Sequence, residues 1–267
     1  DWRAKWYADK ASEYKSLVTE DIKMRDMALK LGPDAGVSSL DLERDSSEVT
    51  ITIHTSRPGI VIGRSGQKVE EIRKETEWLI DCGVNGIGIA LASEIYKTND
   101  QEKFEILKTV VDQSNGRVPI IMNTSEESSH YTTYLSQNAQ DLGASGLMIK
   151  PPMFDQAPQN SIEKHFIKVA ESVNIPIFMQ DQGNSPISGE LAIRLSNANE
   201  NLSYIKLESI PTIPRFDYCN TNASRDKLIL FGGVGGSYFI EELRRGSSGT
   251  MPSSVLPDVF VKTWDLW

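Results

Sequence analysis

A lysine near the end of a buried strand is costly unless it is paired as an ammonium or recruited as an amine nucleophile. Lys206 has that setting, in Asn201-Leu202-Ser203-Tyr204-Ile205-Lys206-Leu207-Glu208-Ser209, followed by Pro211. A period of two puts Tyr204, Lys206 and Glu208 on one face, so a phenol and a carboxylate share the amine's surroundings. A Schiff-base lysine needs that combination, a partly desolvated amine with a proton-transfer group beside the imine. The alternative is a structural Lys206–Glu208 ion pair at the rim of a sheet. Gly232-Gly233-Val234-Gly235-Gly236-Ser237 offers a second candidate. A nest of amides there, Gly232, Gly233 and Gly235 among them, would hold a substrate carboxylate or an oxyanion; close backbone packing is the competing reading. Its spacing is not that of a nicotinamide-binding loop, and no cofactor is expected. A third candidate is Gly63-Arg64-Ser65-Gly66, a GxxG loop between an apolar segment and a helix. Such loops let backbone amides and an arginine meet the phosphates of single-stranded RNA. His130 and His165 lack ligand-like spacing to carboxylates, so no metal is expected.

The elements that would position these residues fall into two textures. Up to about Leu31 the chain reads as helical and Gly32-Pro33-Asp34 stops it. Residues 37–42 form a short strand, and Val49-Thr50-Ile51-Thr52-Ile53-His54-Thr55 alternates with a period of two, which completes a hairpin. A helix follows from about Gln67. Beyond Cys82, short apolar runs alternate with helical stretches, the pattern of parallel βα units. Strands are expected at 86–90, 119–122, 146–149, 176–179, 204–207, 228–231 and, briefly, Thr250-Met251. Helices are expected around 101–114, 126–141, 161–173, 188–198, 237–244 and 255–267. That strand count points to a (β/α) barrel one strand short rather than to an open Rossmann sheet.

Composition narrows the function classes. The chain has 267 residues, 28 basic and 37 acidic, and net charge −9, which argues against a generally cationic nucleic-acid coat. Cys82 and Cys219 are far apart with no CxxC spacing, so neither a disulfide framework nor a cysteine zinc site is expected. No apolar run is long enough to span a bilayer and the first ten residues do not read as a signal peptide. A cytoplasmic location without membrane contact is the expectation.

Two family resemblances add to this reading. Residues 1–75, with Trp2, Trp6, Asp21-Ile22, His54-Thr55 and the run Arg57-Pro58-Gly59-Ile60-Val61-Ile62-Gly63 in order, resemble the type II KH domain of the small-subunit ribosomal protein at the messenger entry channel. The resemblance implies an RNA partner, single-stranded or ribosomal, with Arg57, Arg64 and Lys68 on phosphates and Gly63, Ser65 and Gly66 in the clamp. One departure bears on affinity: residues 1–80 carry 13 basic and 15 acidic side chains, with Asp21 and Asp26 inside a helix that is strongly basic in that family. Weak binding follows, since backbone charge supplies much of RNA affinity.

Residues 78–267 resemble the dihydrodipicolinate synthase and N-acetylneuraminate lyase superfamily. The resemblance is carried by Leu79-Ile80-Asp81-Cys82-Gly83-Val84-Asn85-Gly86-Ile87, Asn115-Gly116-Arg117-Val118-Pro119, Asp141-Leu142-Gly143-Ala144 and Tyr204-Ile205-Lys206. It implies a TIM barrel, no cofactor, a 2-keto acid as partner, and Lys206 as the imine-forming lysine. The usual Gly-Thr-Thr-Gly-Glu loop is replaced by Ala90-Leu91-Ala92-Ser93-Glu94, which leaves Ser93 and Glu94 for the substrate carboxylate. Gln180 stands where the family has its proton-passing tyrosine, so Asp181 becomes the substitute acid or base. The expected arginine has no counterpart in Gly183-Asn184-Ser185-Pro186, and Pro151-Pro152-Met153-Phe154 differs from the family's tyrosine pair.

The resulting expectation is an α/β chain in which a KH type II domain (1–75) is fused to an incomplete barrel (76–267) that lacks its first strand. The seam falls inside one helix, Val69 to Leu79. A missing strand exposes sheet edges that invite association into a homo-oligomer. Three explanations stand: an artificial chimera, favoured here; a natural truncated fusion; or a KH strand, 49–55, filling the gap beside Ile87. The functions to weigh are an imine-forming lyase or synthase, an RNA-binding module with an inert barrel, and a catalytically silent chimera.

Overall fold

The computed structural model describes residues 4–6, 10–29, 37–44, 49–55, 63–154 and 157–267. It divides into two compact units, 1–71 and 72–267.

In the first unit, β1 (Ala4–Lys5) runs parallel to β2 (Val37–Arg44), which pairs antiparallel with β3 (Val49–Thr55). Helix α1 (Ala11–Leu29) is tied to the sheet by polar contacts. Asp21 is buried, accepts from Trp6 Nε1 at 2.9 Å and pairs with Arg44 Nη2 at 3.2 Å, and Arg25 donates to the Leu40 carbonyl at 2.7 Å. Asp21 is thus an internal tether, its charge met by Arg44. Leu40 and Leu42 face inward as alternation requires.

Helix α2 (Gly63–Asp81) starts four residues earlier than the sequence suggests, so Gly63-Arg64-Ser65-Gly66 forms its first turn rather than a preceding loop. Arg57, and the side chains of Arg64, Ser65 and Lys68, lie outside the described residues. The division between units falls within α2, at Glu71 and Ile72. Beyond it, Ile72, Leu79 and Ile80 pack on the core of the second unit and Glu77 holds Arg117 at 2.6 Å.

The second unit is an open, curled sheet of six parallel strands in consecutive order: β4 (Ile87–Ile89), β5 (Ile120–Asn123), β6 (Gly146–Ile149), β7 (Ile177–Asp181), β8 (Tyr204–Leu207) and β9 (Ile229–Gly232). The helices between them are α3 (Asp100–Ser114), α4 (Ser129–Asp141), α5 (Gln159–Ala170), α6 (Gly189–Ala198) and α7 (Thr212–Asn222). After β9 come α8 (Phe239–Leu243) and α9 (Pro257–Leu266). Local sequence explains several boundaries. Asn99 and Glu102 form a reciprocal capping box on α3, and Asn115 and Gly116 end it in the left-handed region at φ 48° and 72°.

Two expectations need correction. The seventh strand reduces to a single parallel bridge between Thr250 and Gly232. The hairpin β2–β3 pairs within its own three-stranded sheet, so β3 is not the strand that fills the gap. Helix α7 has no counterpart in the sequence reading. Its Pro214 discourages a helix, yet as the third residue it falls in the first turn, where amide hydrogens have no intrahelical acceptor.

The two faces of this sheet differ in composition. Ile87, Ile89, Ile120, Met122, Leu147, Ile149, Ile177, Met179, Ile205, Leu207 and Leu230 point toward the helices and form the main core with Leu107, Ile162, Phe166, Leu191, Leu195 and Phe216. The residues in between point to the inner face of the curl. Phe178 stacks on Tyr204 at 4.5 Å and meets Phe231 edge-on at 5.2 Å, which gives this face an aromatic floor.

Candidate active site

The inner face becomes polar toward the carboxyl ends of the strands. Register pairs Gln180 with Lys206 and Lys206 with Phe231, so Gln180 and Lys206 lie side by side one step beyond the Phe178–Tyr204 stack, with Phe231 beside Lys206. Lys206 Nζ is 3.0 Å from Glu208 Oε1, with side-chain exposures of 7% and 14%. The pair is therefore shielded from water, where its attraction is worth more than on a surface. Glu208 is the hub. Its Oε1 also accepts from the Val234 amide at 3.0 Å, its Oε2 accepts from Gln180 Nε2 at 2.8 Å, and Gln180 Oε1 accepts from Asn123 Nδ2 at 3.3 Å. A hydrogen-bonded row thus crosses the inner face from β5 to the turn after β9. Asn123 escapes the sequence reading, although alternation from Ile121 places it on this face.

The glycine-rich turn serves this network. A Cβ on Gly233 would collide with the Glu208 carboxylate, and one on Gly232 with that of Glu242. Val234 and Gly235 adopt left-handed backbone, φ 50° and 64°, which turns the Val234 amide toward Glu208. The turn does bind a carboxylate, and the carboxylate is the chain's own.

Other expected residues lie elsewhere. Asp181 follows Gln180 and points to the opposite, helix-covered face. It is fully buried, accepts from Ser209 Oγ at 2.7 Å and the Ile187 amide at 2.9 Å, and pairs with Arg215 at 3.4 Å. Burial pushes its carboxyl upward, and the Ser209 hydroxyl, the Ile187 amide and Arg215 pull against that. The structure does not bring Asp181 to Lys206. Ser93 and Glu94 sit in exposed 3-10 turns after β4, where Glu94 pairs with Lys97.

Glu242 on α8 is fully buried, accepts from Thr212 Oγ1 at 3.3 Å and, among the described residues, has no partner for Oε2. Burial is the main reason its carboxyl is pushed up to about 7, and the Glu208 charge adds to it. His165 is buried with Nδ1 3.0 Å from Ser129 Oγ, and burial lowers it to about 4. Cys219 is a buried free thiol raised to about 11 by burial, and Cys82 is free and half-buried. Among the described residues no cluster of histidine, cysteine and carboxylates could hold a metal, and no helix is long and apolar enough to cross a membrane.

Comparisons with known proteins follow the same division. The KH domain family model matches residues 26–85. The chain is 40% identical over 118 residues to small ribosomal subunit protein uS3 of Pediococcus pentosaceus, covering 44% of this chain and 50% of that protein. It is 47% identical over 77 residues to uS3 of Desulforamulus reducens, 29% of this chain and 34% of that protein. The chain spans half or less of the length of these relatives. Among solved structures, dihydrodipicolinate synthase from Aquifex aeolicus is similar at TM-score 0.69 and 21% identity, over 73% of this chain and 67% of that one. YagE, a prophage protein of the dihydrodipicolinic acid synthase family from E. coli K12 solved with pyruvate, is similar at TM-score 0.69 and 21% identity, over 80% and 70%. Those likenesses establish the fold. The Dihydrodipicolinate synthetase family model matches residues 66–255, overlapping the KH match along α2, and covers well over half of the chain. A KH segment like that of uS3 thus precedes an incomplete barrel, and by that larger match the chain belongs to the dihydrodipicolinate synthetase family.

Proposed function

We propose that the second unit is an imine-forming enzyme acting on a 2-keto acid, with Lys206 as the nucleophile and Glu208 as its proton acceptor. The observation that carries this reading is the shielded 3.0 Å contact between Lys206 Nζ and Glu208 Oε1 above an aromatic floor. The ammonium passes a proton to the Glu208 carboxylate. The neutral amine adds to the keto carbon, forming C–N as the carbonyl π bond opens onto oxygen. Glu208 returns that proton to the oxygen to give the carbinolamine hydroxyl, then takes a second proton from the nitrogen and delivers it to the hydroxyl. Water leaves as the nitrogen lone pair forms the protonated imine, and Glu208 is again a carboxylate. Gln180 and the Val234 amide hold Glu208 in place, so the carboxylate need not reorganise between steps. Family membership and the pyruvate bound in YagE support the substrate class. Borohydride added with pyruvate should fix a covalent adduct on the peptide containing Lys206, and Lys206→Met should remove it entirely. A wild-type chain that yields no adduct with any of a panel of 2-keto acids would end this assignment.

A second reading, binding of single-stranded RNA by residues 1–75, is supported by the KH match and the uS3 relatives. Replacing Arg64 and Ser65 with aspartate should weaken a salt-dependent RNA titration; an unchanged curve removes the assignment.

A further inference from the structure

The keto-acid site as read from sequence lacks a cation for the substrate carboxylate. Ser93 and Glu94 are exposed, no arginine follows β7 at 183–186, and the amide of Val234 is already taken by Glu208. Lys150 is the candidate that strand order offers. It directly follows β6, and the alternation that puts Met148 on the inner face puts Lys150 there too. Register pairs Ile149 with Met179, so its continuation sets Lys150 beside Gln180, which bonds Glu208, which pairs with Lys206. Two strand spacings, about 10 Å, separate the Lys150 and Lys206 backbones, close enough for two long side chains to converge on one small acid.

Among the described residues Lys150 is also a cation without a dedicated counter-ion. Its Nζ lies 2.8 Å from Met153 Sδ, and a thioether is a weak acceptor. Among the described residues no carboxylate forms an ion pair with it. The two nearest acidic charges are otherwise engaged: Glu126 holds Lys103 at 2.9 Å, and Glu127 accepts from the amides of Met153 at 2.8 Å and Phe154 at 3.1 Å. Those Glu127 bonds pin the segment after Lys150, and the Lys150 amide donates to Ser125 Oγ at 2.9 Å, so the lysine stands on a fixed backbone. Half-burial lowers its affinity for a proton, which an arriving carboxylate would restore.

We infer that Lys150 is the specificity-determining cation of this site, anchoring the carboxylate of the 2-keto acid while Lys206 attacks its carbonyl. The inference rests on the keto-acid reading for its substrate class. It is tested with the whole chain, comparing wild type with Lys150→Met and Lys150→Arg in two measurements. In the first, borohydride trapping at Lys206 is titrated with pyruvate and with acetone, a ketone without a carboxylate. Lys150→Met should raise the half-saturating pyruvate concentration at least about tenfold, as loss of a charge-assisted contact requires, and leave acetone trapping within about twofold; Lys150→Arg should restore most of the difference. In the second, calorimetry follows binding of propionate, which has no carbonyl to react, so Lys206 chemistry plays no part. Wild type should bind it and Lys150→Met should not. Equal propionate binding by both proteins, none by wild type, or an equal loss for pyruvate and acetone would overturn the inference. A wild type that traps nothing but loses propionate with Lys150→Met would refute the Lys206 chemistry and keep the Lys150 anchor.

Discussion

Two carboxylates one strand apart, Asp181 on β7 and Glu208 just past β8, have opposite surroundings because one points to the helix-covered face of the sheet and the other to its inner face. Asp181 has zero exposure, and its partners Ser209, Ile187 and Arg215 come from the β8–α7 connection, the loop after β7 and α7. It fastens helices to sheet. Glu208 retains 14% side-chain exposure and its partners, Lys206, Gln180 and the Val234 amide, converge on the open side of the curl. The same functional group fastens helices to sheet on one face and, in the proposed reading, moves a proton on the other. What separates them is alternation along the strands.

The largest expected departure tests the structural half of that contrast. Asp181→Ala strands the Ser209 hydroxyl, the Ile187 amide and a partly buried guanidinium, at a cost of about 3–5 kcal/mol. A urea titration should show the loss as a fall in midpoint without a change of slope. In the fraction that remains folded, adduct formation at Lys206 should stay within about twofold of wild type. A stable variant with no adduct would put Asp181 in the chemistry and break the contrast.

The adjacent glycines split the same comparison more finely. Gly232→Ala drives a methyl into the buried Glu242 carboxylate on the helix side, whereas Gly233→Ala drives one into Glu208 on the inner side. The Glu208 carboxylate is held by several bonds and the Glu242 carboxylate is enclosed by complete burial, so overpacking of about 1–3 kcal/mol applies to each. Only Gly233→Ala should also displace Glu208 from Lys206, lowering the trapping rate about tenfold or more beyond any loss of folded protein. Equal kinetic losses in the two variants would mean that the turn acts as one unit.

Much of this architecture was legible in local sequence. Period two at 49–55 and, beyond Cys82, short apolar runs alternating with helical stretches located most elements within a few residues, because those signals are set by neighbours in the chain. Lys206 and Glu208 were legible as partners for the same reason. Asp181 was misleading because β7 reads as ending at Met179; it continues to Asp181, and one more step of alternation turns that side chain away from Lys206. Lys150 drew no attention in sequence because it stands just past the end of β6, whose bounds the apolar run gives correctly. The occupant of the glycine turn was not legible, since Glu208 reaches Val234 across 26 positions of sequence and only the paired strands bring them together.

The smallest effect is a pH dependence in which two buried groups pull in opposite directions. Glu242 binds a proton more tightly folded, at about 7, than unfolded, near 4.5, so between those values the native state holds more protons and stability falls as pH rises. His165 holds its proton less tightly when folded, at about 4 against 6.5, so its contribution is lost as pH falls below 6.5. The windows overlap from 4.5 to 6.5 and the two slopes offset each other there. Glu242→Gln keeps the Thr212 contact and removes one of the two. Its melting temperature should exceed that of wild type at pH 8, by the equivalent of about 2 kcal/mol, and should climb steadily from pH 4.5 to 6.5 where the wild-type curve is flat. A variant no more stable than wild type at pH 8 would show that the Glu242 carboxylate is already accommodated as an anion. The helix-side face would then carry a charge as readily as the inner one, and the distinction between the two faces would rest on hydrogen-bond partners alone.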